Sequence, residues 1–87
     1  MDKTNATLLL SCPDAKGIVA SVSGFIFSHN GNILHAAQHT TEKSKTFFMR
    51  IEWEMKGFDL GRDEVLKAFE PLSKKFRMTC GLHFSDQ

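Results

Sequence analysis

Residues 11 to 18 read SCPDAKGI, a proline, an acid, a base and a glycine set between one apolar stretch and the next. Where such a segment opens a helix, the first turn presents unpaired backbone N–H groups and a partial positive charge, which together hold an anion. Gly17 would let a ligand come close to that backbone. Asp14 has two roles open to it: meeting a ligand ammonium, or capping the helix with its carboxylate. In the second account Lys16 is a solvated charge and Gly17 a turn residue, and no ligand is needed. Asn32 is another candidate, because its amide both donates and accepts, although a residue closing a turn would look the same. His35 and His39 point to one face of a strand but stand roughly 13 Å apart, too far to chelate one metal within a monomer. MTCGLH at 78 to 83 has some likeness to a metal-binding MxCxxC loop, yet it lacks the second cysteine and lies on an expected strand. Ser11, the histidines and Asp14 form no convincing nucleophile, base and acid set. Neither catalytic residues, nor a metal, nor a cofactor is expected.

The elements that must position these residues follow from apolar periodicity. ATLLLS at 6 to 11 reads as a buried strand ended by Cys12-Pro13. From Gly17 to His29, Ile18, Val22, Phe25, Ile26 and His29 recur at helical spacing, with Asp14 as the expected N-cap and Asn30-Gly31 as the stop. Asn32 to Thr41 forms a second strand and Thr46 to Met55 a third, in which Phe47, Met49, Ile51 and Trp53 alternate with Phe48, Arg50, Glu52 and Glu54. Glu42 to Lys45 is the hairpin between them. Val65, Leu66, Phe69, Leu72 and Phe76 mark a second helix that Pro71 should kink or split. Met78 to Phe84 alternates as a fourth strand. The order βαββαβ predicts an α+β, ferredoxin-like fold: a four-stranded antiparallel sheet in order 4-1-3-2 with two helices on one face. Expected inward residues are Leu8, Leu10, Val22, Ile26, Phe47, Met49, Ile51, Phe69, Leu72, Cys80 and Leu82.

The chain has 87 residues, 41% hydrophobic and 24% charged, with 11 basic against 10 acidic side chains. A net charge of +1 offers no electrostatic reason to expect nucleic acid or a membrane surface. RNA-recognition domains share the strand order, but they expose aromatics on the first and third strands. Here the first strand has none, and Glu52 and Glu54 would repel phosphate. Apolar stretches fall far short of the ~20 residues that span a bilayer. Cys12 and Cys80 read as free thiols in a reducing compartment, which places the protein in the cytoplasm. No repeat, low-complexity tract or linker divides residues 1 to 87, and a domain this small gains stability from a partner subunit.

Taken together, SCPD followed by KGIV, the GNI that opens the second strand, Gln38-His39 with the threonines after it, and FFMR followed by an acidic residue resemble an ACT domain. More narrowly, they are similar to the N-terminal ACT domain of the formyltetrahydrofolate deformylase family. The likeness covers nearly the whole chain. It implies a regulatory fragment of a longer enzyme that hydrolyses 10-formyltetrahydrofolate to tetrahydrofolate and formate for purine synthesis, with a C-terminal formyltransferase-like catalytic domain absent from this chain. It also implies an effector site at a subunit interface, formed by Asp14, Lys16, Gly17, Ile18, Gly31, Asn32 and Ile33, with Gln38 or His39 from a neighbouring chain. The expected ligand is a small amino acid, glycine or methionine, whose carboxylate meets the N–H groups of Lys16 to Ile18 and whose ammonium meets Asp14 or Asn32. At least a dimer is expected, joined through the exposed second strand. The alternative is an ACT module that binds no ligand and only assembles subunits.

Overall fold

The structure, a computed structural model, describes residues 4–86. Strand β1 (Asn5–Pro13) buries Ala6, Leu8, Leu10 and Cys12 on one side and turns Thr7, Leu9 and Ser11 to the other. Its period-two alternation therefore defines an inner and an outer sheet face. Helix α1 (Ile18–Ser28) follows, then β2 (Asn32–Thr41), β3 (Thr46–Glu54), helix α2 (Val65–Phe76) and β4 (Thr79–Phe84). The sheet runs β2-β3-β1-β4 and every pairing is antiparallel, which is the expected order read from its other edge.

Both helices pack on the inner face. Ile18, Val22 and Ile26 of α1 and Val65 and Phe69 of α2 join Leu8, Leu10, Phe47, Met49, Ile51 and Trp53 in one core. Phe25 meets Phe69 edge to face at 5.1 Å, tying α1 to α2. Leu72, Cys80 and Leu82 lie half-buried against this core, so the expected inward set faces inward throughout. Both cysteines are free thiols.

Three details depart from the sequence reading. β1 does not stop before Pro13 but includes it, paired with Thr46. β4 has already ended its pairing at Ser11, so the proline occupies the last position of the strand and interrupts no ladder interior. Helix α2 is neither split nor ended at Pro71 but runs unbroken from Val65 to Phe76. Pro71 and Lys67, whose carbonyl loses its helical donor, are both exposed, so water can serve that carbonyl. The third departure is the cap of α1, described with the site below.

Candidate functional site

The loop leaving β1 is anchored to the β2–β3 hairpin by the Asp14 N–H, which donates to the Lys45 carbonyl at 2.9 Å. The chain then turns through Gly17, in the left-handed region at φ 85, and Gly17 itself is the N-cap, with no side chain capping the helix. Asp14 thus does not cap α1, contrary to expectation. The helix starts four residues beyond it, where a carboxylate at 14 no longer meets the first-turn amides. The first intrahelical bond runs from the Ser21 N–H to the Gly17 carbonyl at 2.9 Å. The N–H groups of Ile18, Val19 and Ala20 are left as the unpaired donors of the first turn, and no acidic side chain lies in that turn to occupy them. Residues 13–17 are exposed. This end of α1 suits an anion.

At its other end α1 closes through a left-handed Asn30, φ 64. The Gly31 N–H donates to the Ile26 carbonyl at 2.9 Å and the Asn30 N–H to that of Phe27 at 3.0 Å, the paired bonds of a Schellman ending. Gly31 has an ordinary φ and is required for a different reason: a Cβ there would stand 2.5 Å from Ile26 Cγ2 and 2.9 Å from the Ile26 carbonyl oxygen. Asn32 donates from Nδ2 to Glu54 Oε1 at 2.9 Å, which leaves its Oδ1 turned to other partners as an acceptor. Ile33 is exposed beside it.

These two groups of residues lie far apart within one chain. Asn32 is registered with Glu54 and, through it, with Asn5; the loop after Pro13 is level with Thr46 and, through it, with Thr41. Eight strand residues, roughly 26 Å, separate the two rows. Asp14 to Ile18 and Gly31 to Ile33 therefore cannot grip the same small molecule in one subunit. Gln38 and His39 also diverge: Gln38 pairs with Met49 on the helix side, while His39 pairs with Phe48 on the outer face and stacks on its ring at 5.0 Å.

Two apolar features were missed in the sequence. Val19 and Phe27, with Ser23 between them, form a stripe on the flank of α1 away from Phe25 and hence away from α2, on the side of β2. Phe27 is 79% exposed. Ile33 and Leu34 are further exposed apolar residues at the start of β2, a bulge between Ile33 and His35 leaving Leu34 without an opposite residue on β3. A phenylalanine lying outside the core stripe of an amphipathic helix was the available signal. The second feature is a depression of about 480 Å³ on the outer sheet face, over Leu9, Ser11, Ala37, His39, Phe48 and Arg50.

Residues 6–73 match the ACT domain family, and the chain belongs to that family. Its particular relatives are formyltetrahydrofolate deformylases. It is 47% identical to that enzyme of Synechocystis sp. across all of its own length and 31% of the relative's, and 40% identical to that of Bacillus subtilis over 92% of its length and 27% of the relative's. The crystal structure of a formyltetrahydrofolate deformylase from Pseudomonas syringae pv. tomato superposes with a TM-score of 0.92 at 38% identity, covering 97% of this chain and 28% of that one. The chain thus spans less than a third of the length of these deformylase relatives.

Proposed function

We propose that this chain is the regulatory module of a formyltetrahydrofolate deformylase, that it pairs with a second copy through β2, and that the pair holds a small amino acid. The single observation that carries this reading is the separation of the two candidate groups along the sheet. β2 is an edge strand, so a second copy can pair with it antiparallel about a two-fold axis near its middle, at Ala36. Asn32 of one copy then comes beside Thr40 of the other, at the end of the sheet where the loop that follows β1 lies. The edge pairing reunites what one subunit keeps apart. The stripe of Val19 and Phe27, with Ile33 and Leu34, would be covered by the same contact, which accounts for apolar surface that a lone domain exposes at a cost.

In the composite site the ligand carboxylate meets the amides at Lys16 to Ile18. Its ammonium meets Asp14 of that subunit or the Asn32 side chain of the other, which would have to leave its bond to Glu54 on the outer face to turn toward the helix side. Gln38 stands on the helix side of the joined edge, within the covered region; His39, on the outer face, does not. Glycine and methionine are the candidates because both are linked to one-carbon flow. The full-length protein would hydrolyse 10-formyltetrahydrofolate to tetrahydrofolate and formate, and the module would bias that activity. Calorimetric titration of the chain with glycine and with methionine, repeated on Asn32→Ala, tests the ligand. Heat with the parent chain that Asn32→Ala abolishes supports it. Silence at millimolar concentration from both amino acids leaves assembly as the sole function.

A further inference from the structure

The connection from β3 to α2 crosses the C-terminal end of α1 and is tied to it by hydrogen bonds. Asn30 Nδ2 donates to the Gly57 carbonyl at 2.9 Å, the Asp59 N–H donates to the His29 carbonyl at 2.9 Å, and His29 Nδ1 lies 2.7 Å from Asp59 Oδ1. Between these bonds Phe58 packs against the core, its ring 5.4 Å from that of Trp53 and 6.2 Å from that of His29. It also stands over Gly31, where an added Cβ would come within 3.0 Å of Phe58 Cδ1. Trp53 beneath it is wholly buried, yet its indole N–H has no hydrogen-bond partner among the described residues.

We propose that residues 56–60 form a strap that opens without the rest of the fold and, when closed, positions the turn from which Asn32 enters β2; Asp59, acting through His29, is its positioning residue. The side-chain bonds that hold the strap join exposed groups, so water replaces them at little net loss. Lifting Phe58 also lets water reach the Trp53 N–H, which relieves the cost of a buried donor without an acceptor. The closed form is therefore held by a small margin, the condition for local opening.

The strap bears on the candidate site and on α2 at once. Asn30 and Gly31 lead directly into Asn32, so the strap fixes the backbone on which the strand half of the site stands. Its other end runs on to α2 at Val65, and the rings of Phe58, His29, Phe25 and Phe69 meet in succession at 6.2, 4.9 and 5.1 Å. A ligand that binds the closed turn more tightly draws the strap shut by linkage, and the ring contacts carry that closure to α2. This consequence for the ligand rests on the composite site proposed above; the opening itself does not.

Amide hydrogen exchange of the chain, alone and with each amino acid, tests this. In the parent the Asp59 N–H should exchange ahead of the β1–β3 ladder and with little dependence on low urea, because its bond to the His29 carbonyl breaks when the strap lifts. Asp59→Ala should raise the opening roughly fivefold, the effect of losing one hydrogen bond, after correction for the intrinsic rate at the altered residue. Asp59→Asn keeps an acceptor for the His29 ring and should return protection close to the parent's. The Asp14 N–H, held by Lys45 at the other end of the sheet, is the control and should keep its rate in both variants. An Asp59 N–H that exchanges only with the ladder, its rate climbing as steeply with urea, overturns the opening, and so does equal protection in the parent and Asp59→Ala. Glycine or methionine, at a concentration that calorimetry shows to saturate the chain, should slow exchange at Asp59; saturation without slowing overturns the link to the site. A chain that takes up neither amino acid sinks the composite site, while the strap then stands or falls on the exchange of Asp59 alone.

Discussion

Gly17 and Gly31 flank α1 and are needed for unlike reasons, which one pair of substitutions can separate. At Gly17 an added Cβ meets nothing within 4 Å, so only the φ of 85 resists it. Gly17→Ala should cost about 1–2 kcal/mol, and Gly17→Asn should recover much of the loss because asparagine tolerates that region. At Gly31 the obstacle is overlap with Ile26 and Phe58, so Gly31→Ala should cost about 1–3 kcal/mol and Gly31→Asn at least as much. Urea denaturation of the four variants measures both differences. The cysteines give a second expectation. Burial pushes the Cys12 thiol up, with the Asp14 carboxylate adding to the effect, and burial also raises Cys80. Both should alkylate more slowly at neutral pH than a free thiol, Cys12 the slower because it is almost wholly covered. Since the folded protein favours the protonated thiols, their contribution to stability is present below the unfolded value of 9.0 and lost as pH rises beyond it. Thiol titration against a pH series checks rate and sign together. At this scale the sequence was legible in part. Asn30-Gly31 was read correctly as the helix stop, but Asp14 was misread as the cap, because the left-handed turn at Gly17 depends on where the loop is tied to Lys45.

Elements were more legible than caps. Alternation along β3 and the stripe on α1 come from burial on one side only, and burial on one side is what a two-layer fold imposes on every element. Pro71 shows the limit: local chemistry argued for a break, but Phe69, Leu72 and Phe76 pack against the core on both sides of it and hold the helix together. Pro71→Ala should therefore restore one backbone bond to Lys67 and raise stability by up to about 3 kcal/mol, measured as a higher urea midpoint with unchanged slope. A lowered midpoint would show that the proline stabilises more through the unfolded chain than it costs in the helix. β2 was legible as a strand but not as a surface. Alternation alone puts Gln38 and His39 on opposite faces; the register, with Gln38 opposite Met49 and His39 opposite Phe48, decides which of them shares the helix side, and the bulge that leaves Leu34 unpaired leaves no trace in composition.

For the whole molecule, the order of elements sufficed to give the sheet topology, since right-handed crossovers leave few alternatives for βαββαβ. The site was not legible in the same way. Residues drawn together by one motif list stand at opposite ends of the sheet, and only the register reveals it. The central claim is that these two groups make one amino-acid site between two subunits. Mixing variants tests it most directly. Asp14→Ala breaks the loop half and Asn32→Ala the strand half, so neither variant alone should bind the amino acid that the parent binds, glycine or methionine, by calorimetry. After unfolding and refolding an equimolar mixture, half the pairs contain one of each variant, and one of their two sites is intact. The expected result is recovery of about one quarter of the parent's sites. Recovery of none, with mixed pairs shown to form, would contradict a site shared between subunits.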